Sequence, residues 1–246
     1  KLPFKNAPGI FLVTGMAAGF AGMFGTPIAA VIFAVEVLAA GEMRYEALLP
    51  AFTASFSASA VASLLGIHKE NLTIHISESL TPFLLVRLIT LGIIFGITGG
   101  LFAWCLKRTK KYLGEKIKNP LVRVFSIGVV LSILFLVLYR GRYCGFGTNL
   151  VEAVFTGEKV YAYDWALKFI LTVLTLSAGF QGGEVTPLFT IGATLGAVLG
   201  SLFGIPVELS AALGYAAVFG GGTNTLLAAI FIGGEIFGYD YLPYFF

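Results

Sequence analysis

Long apolar runs, each about the length a helix needs to cross a lipid bilayer, dominate this chain. A span takes about 20 mostly apolar residues, because a helix rises 1.5 Å per residue through a hydrocarbon core of roughly 30 Å. Residues 10–40, 47–66, 82–104 and 122–139 meet that requirement, with Glu36 as the acidic interruption of the first. Composition agrees: 57% of residues are hydrophobic and 12% charged, against about 25% charged in soluble domains. The chain therefore reads as an all-α, polytopic membrane protein located in the cell membrane, with the bilayer as its partner.

The charges follow the same logic. A net charge of +3 would suggest a nucleic-acid partner only if a soluble face carried it, and none is expected. Lys107, Arg108, Lys110, Lys111, Lys116, Lys118 and Arg123 gather between two apolar runs, where the positive-inside bias places cytoplasmic segments. Cys105 and Cys144 have no metal-ligand spacing, and His68 and His75, near Glu70 and Glu78, read as loop histidines rather than a zinc site. No metal and no cofactor is expected. Gly-x-Ser-x-Gly and His-Glu-x-x-His are both missing, which argues against an intramembrane enzyme.

The first run is interrupted by Gly25-Thr26-Pro27, so it reads as a broken helix. In the second half, 165–178 and 187–203 are bounded by glycine clusters, and these segments, with 209–222 and 223–237, read as helices too short to span. Irregular backbone at membrane depth is tolerated only where it lines a cavity enclosed by protein, so such breaks point to a binding site. An internal repeat reinforces this. A shift of 199 residues superposes Gly15 on Gly214, Phe20 on Phe219, Thr26 on Thr225 and Glu36 on Glu235, nine identities in all within 15–36. Duplicated segments with breaks in corresponding places are the mark of transporters that hold substrate between repeats. We expect one transmembrane domain over 1–246, with approximate halves 1–104 and 105–246. Because the chain starts at Lys1-Leu2-Pro3 and stops within an aromatic run, we expect it to be a fragment of a larger membrane domain.

The stretch with most chemical content is Gly179-Phe180-Gln181-Gly182-Gly183-Glu184-Val185-Thr186-Pro187. Glycines followed by proline describe a loop entering a helix, since proline at the first turn needs no N–H partner. The free N–H groups and positive dipole end there stabilise an anion without a full positive charge, which suits release as well as binding. Gly183, Glu184, Val185 and Thr186 are thus the candidate anion-binding residues. Glu184 could cap the helix or, as an acidic residue among apolar segments, couple protons to anions. A carboxylate that vacates an anion site when protonated and refills it when ionised would do the latter.

Residues 175–187 resemble the helix-entry anion motif of the CLC chloride channels and transporters. Ala17 through Ala29 is similar to that family's broken Gly/Ala-rich helix, and Gly145-Phe146-Gly147-Thr148-Asn149-Leu150 resembles its Gly-rich Asn-Leu turn. Their order and spacing match, so the resemblance covers essentially the whole chain. It implies an inverted two-fold repeat, a homodimer, and transport of fluoride or chloride with protons. Chloride-handling members usually have an apolar residue where this chain has Glu184, and a glutamate there is similar to the fluoride/proton antiporter branch. The resemblance therefore implies fluoride export, with a chloride/proton antiporter or chloride channel as the alternative. Val37 stands where many chloride/proton antiporters have an acidic residue on the cytoplasmic side. The family's gating-glutamate motif and central-site loop would precede Lys1, and its inner tyrosine would follow Phe246.

Overall fold

The computed structural model describes residues 7–38, 43–67, 72, 74 and 81–246; His68, Glu70, His75 and Glu78 fall outside them. Among the described residues ten α-helices and three short 3-10 helices make up the architecture, and no strand occurs. The α-helices are α1 (Ala7–Phe24), α2 (Pro27–Glu36), α3 (Leu48–Leu64), α4 (Pro82–Lys116), α5 (Pro120–Val137), α6 (Thr148–Phe155), α7 (Asp164–Ala178), α8 (Val185–Phe203), α9 (Val207–Thr223) and α10 (Leu226–Phe237). Among the described residues five stretches are long and apolar enough to span a bilayer: α1, residues 45–64, α4, α5 and α8. The protein is thus multi-pass. At 19 residues α8 reaches spanning length, contrary to the expectation of a helix too short to cross.

The helix starts follow from local chemistry. Proline opens α2, α4 and α5, where its fixed φ suits a first turn. Thr81 caps α4 by accepting from Leu84 N–H at 3.2 Å, and Asn119 caps α5 through Leu121 N–H at 3.0 Å. Helix α4 continues twelve residues past Trp104, carrying Lys107 to Lys116 on a helix rather than in a loop. Lys, Arg and Leu are good helix formers, so the helix outlasts the apolar run until residues 117–119 turn the chain into α5.

The chain forms two compact units, residues 1–73 with 224–246, and residues 74–223. In the first, α1 packs on α3 and α2, and α2 on α10. Val13, Ala17, Val31, Ala34 and Ala51 form a small-residue core, and Ser55 Oγ donates to the Pro27 carbonyl at 2.6 Å.

In the second unit glycine sets the helix spacing. A methyl on Gly196 of α8 would lie 2.7 Å from the Ala211 Cα of α9, and Gly192 and Gly214 face each other backbone to backbone. Gly99 of α4 leaves no more room: a methyl there would meet the Gly222 nitrogen at 2.6 Å. The Gly96 backbone lies against Gly221 of α9 as well, whereas a methyl on Gly92 or Gly100 of α4 would meet nothing within 4 Å. Small residues drive such packing because lipid supplies no hydrophobic force between helices. Helix α5 runs antiparallel to α7. Its start reaches the end of α7 through Arg123 and Ala178, and its later residue Leu131 packs with Leu171, Tyr143 and Leu150.

Candidate functional site, a helix entry and its supports

Helix α7 stops at Gly179, whose φ of 110° lies in the left-handed region. A residue with a side chain would be strained there, so the glycine is a local requirement. Five further residues lead to Val185, where α8 begins, and Pro187 lies in its first turn as the sequence predicts. Gly182 and Gly183 are outside any helix. Residues 179–184 are exposed on this chain, Val185 and Thr186 are half-buried, and Pro187 is buried.

Glu184 occupies the N-cap position with φ −90° and ψ −24°, and no side chain caps the helix. Its carbonyl accepts from Leu188 N–H at 3.1 Å. The carboxylate therefore does not act as the cap that a purely structural role would require. Among the described residues no side chain accepts from the first-turn N–H groups of α8, which leaves donors and dipole end free for an anion.

The loop is held at its α7 end. Arg123 Nε donates to the Ala178 carbonyl at 3.0 Å, which places a guanidinium at the negative end of α7. Gly128 of α5 makes room for the Phe180 ring: a methyl there would stand 3.1 Å from the ring edge. Arg123 also lies beside Gly114 near the end of α4. The helix entry thus opens toward the same end of this unit as the basic stretch 107–118.

A second set of contacts fixes the Gly-rich turn 145–150, with Gly145 at φ 65° and Gly147 at φ 89°. Asp164, fully buried at the start of α7, accepts from Arg142 Nη2 at 2.8 Å, Tyr143 Oη at 2.6 Å and Tyr161 N–H at 2.9 Å. Burial, followed by the Asp164 hydrogen bond, pushes the Tyr143 phenol up, so it remains a proton donor at physiological pH. One turn on, Lys168 is 2% exposed and donates to the Tyr143 and Gly145 carbonyls at 3.2 and 2.7 Å. Thr190 of α8 donates its hydroxyl to the Phe146 and Thr186 carbonyls, tying this turn to the first turn of α8.

Asp164, Lys168 and Thr190 are supports that the sequence did not single out, and Arg123 stood out only as part of the basic stretch. A signal existed for two of them. An acidic and a basic residue four apart on an otherwise apolar helix are costly to bury, and that cost points to a role.

The paired glutamates of the repeat meet in the first unit. Glu235 accepts from Ile28 N–H at 3.1 Å and Ala29 N–H at 2.7 Å, in the first turn of α2. Glu36 accepts from Leu226, Leu227 and Ala228 N–H at 2.8, 3.2 and 3.1 Å, in the first turn of α10. Each repeat's glutamate caps the other's helix at equivalent positions. The breaks correspond too: Gly25 has φ 64° and Asn224, 199 residues on, has φ 56°. Two broken-helix entries are thus already filled by carboxylates, whereas the α8 entry is capped by no side chain.

Comparison with known proteins agrees with this organisation. The family model for the voltage gated chloride channel matches residues 4–246. A chloride/fluoride channel protein of Pseudomonas syringae pv. tomato is 36% identical over 240 residues, covering 95% of this chain and 53% of that protein. The chain therefore spans about half the length of this curated relative. The crystal structure of a CLC-type fluoride/proton antiporter superposes with a TM-score of 0.94 at 53% identity, covering 96% of this chain and 60% of that one. A slow cyanobacterial Cl−/H+ antiporter shares the fold, with a TM-score of 0.80 at 22% identity. A broken-helix repeat of this kind, matched over nearly its whole length, makes the chain a member of the voltage-gated chloride channel family, CLC.

Proposed function

We propose that the full-length protein exports fluoride in exchange for protons, with Gly183, Glu184, Val185 and Thr186 forming part of its anion path. The observation that carries the reading is Glu184 at the N-cap of α8 with its carboxylate left out of the cap. Fluoride is small and strongly hydrated, so a site that takes it must replace lost water with close donors. Backbone N–H groups and the Thr186 hydroxyl are such donors, and a protonated Glu184 adds an O–H that an apolar residue cannot supply. On losing its proton, the same carboxylate repels the anion and favours release. Exchange rather than cotransport requires that the proton leave Glu184 toward the side opposite to the fluoride, and no covalent chemistry is involved.

Likeness to a fluoride/proton antiporter at 53% identity supports the reading. Val37 stands where many chloride/proton antiporters of the family have an acidic residue, and the reading assigns the coupling to Glu184. In this account the protein is a transporter rather than an enzyme, works as a homodimer, and carries its repeat in approximate halves over 1–104 and 105–246.

Glu184→Gln keeps side-chain size and removes the titratable proton. In proteoliposomes containing the full-length protein, this variant is expected to lose proton-coupled fluoride efflux while its yield and melting midpoint stay near those of the wild type. Unchanged rate and coupling would return Glu184 to a structural role.

A further inference from the structure

At the other end of α5 from the helix entry, the chain makes a tight turn of unusual backbone. Tyr139 and Arg140 both have positive φ, 54° and 50°. Two consecutive side-chain-bearing residues in the left-handed region are disfavoured, and such strain persists where something requires the resulting geometry. Here the geometry sets Arg140 against α5: Ser132, Phe135, Leu136, Arg140 and Gly141 line an open groove of about 500 Å³. Arg140 is exposed and, among the described residues, makes no hydrogen bond or ion pair.

We propose that this groove binds an anionic phospholipid, with its phosphate on Arg140 and an acyl chain along α5. Three observations favour lipid over a protein partner. The exposed side of α5 is bulky and apolar, with Phe125 and Leu136 about three-quarters exposed, and Leu131 is the one buried residue of its 18. Protein-facing helices in this chain present glycine instead, as α8 and α9 do. Arg140 lies three residues past the last residue of α5, the level at which a spanning helix meets lipid headgroups. Beside it, Tyr139, Tyr161 and Tyr163 form a stacked, partly exposed cluster with the Lys159 Nζ 4.8 Å from the Tyr161 ring. Amphipathic rings and cations of this kind favour the headgroup zone.

Charge selects the headgroup. A guanidinium matches phosphate oxygens in a two-pronged fashion, and a zwitterionic lipid brings its own cation toward Arg140 and Lys159. The anionic class is therefore preferred. This site is independent of the anion path proposed above.

The test uses the full-length protein in detergent with added phosphatidylglycerol or phosphatidylcholine of the same chains, read by native mass spectrometry and by melting midpoint. Phosphatidylglycerol is expected to be retained and to raise the midpoint more than phosphatidylcholine does. Arg140→Gln should weaken its retention about tenfold, whereas Lys110→Gln on the basic stretch should leave it unchanged. Arg140→Gly should also lose the lipid yet melt no lower than the wild type without lipid, because glycine relieves the left-handed strain. Equal retention by wild type and Arg140→Gln, or equal binding of both lipids, would overturn the proposal. So would protection of Arg140→Cys, in a Cys144→Ser background, from a polar thiol reagent in the lipid-free protein, since another protein segment would then occupy the groove.

Discussion

The reciprocal glutamate caps give a sharply defined perturbation. Glu235→Ala removes acceptors 2.7 and 3.1 Å from two N–H groups of α2, and Ala29 is fully buried. Glu36→Ala removes two acceptor oxygens that take three hydrogen bonds of 2.8 to 3.2 Å from α10. Loss of a cap costs about 0.5–2 kcal/mol, and each buried donor left unpaired adds about 1–3 kcal/mol. Partial rescue by solvent brings the expected loss to about 2–4 kcal/mol for Glu235→Ala and, because Leu226 and Leu227 are exposed, to about 1–2 kcal/mol for Glu36→Ala. Glutamine keeps one acceptor oxygen but forfeits the charge on the helix dipole, so its cost should be about half of that. The two sites are also coupled, because Glu36 ends the helix that Glu235 caps and Glu235 lies near the end of the helix that Glu36 caps. The double alanine variant should therefore lose less than the sum of the singles, by about 0.5–3 kcal/mol. Melting of the full-length protein in detergent, followed by tryptophan fluorescence or size-exclusion yield, reads all four species. Single variants that melt within a degree of the wild type, or a double variant that is strictly additive, would refute the reasoning.

Gly196→Ala should destabilise by about 1–3 kcal/mol, since its methyl would stand 2.7 Å from Ala211 Cα; Gly100→Ala, with open space around it, should be neutral or stabilising in the same melting assay. Asp164→Asn leaves Arg142, Tyr143 and the turn 145–150 without their shared carboxylate, and is expected to cost about 2–4 kcal/mol, discounted for the partial exposure of Arg142. Because Thr190 links that turn to Thr186, fluoride flux by Asp164→Asn should fall further than the folded fraction does, measured on the same preparation.

Much of this architecture is legible because the bilayer imposes a length. The spans 82–104 and 122–139 were visible as apolar runs, and Gly25-Thr26-Pro27 marked the break between α1 and α2. What hydropathy cannot see is helix outside lipid: α4 continues through Lys107 to Lys116, and α6 has eight residues of mixed polarity. The helix entry at 179–187 could be read locally, since glycine and proline state their backbone needs in sequence. The contacts that support it could not. Arg123 and Ala178 are 55 positions apart, and Thr190 and Phe146 are 44 apart, so only the packing of α5, α6, α7 and α8 brings them together. The glutamates of the repeat stood out as equivalent, but the helix each one caps lies at the far end of the chain, 190 to 207 positions away.

The central claim is that fluoride movement and proton movement are one process. Full-length protein reconstituted into liposomes with a fluoride gradient, no pH gradient and a clamped membrane potential allows both ions to be followed with electrodes at once. The account predicts that fluoride leaving the liposomes drives protons in against their developing gradient, and that an equal chloride gradient drives little of either. Fluoride efflux with no accompanying proton uptake, or chloride exchange as fast as fluoride exchange, would contradict it.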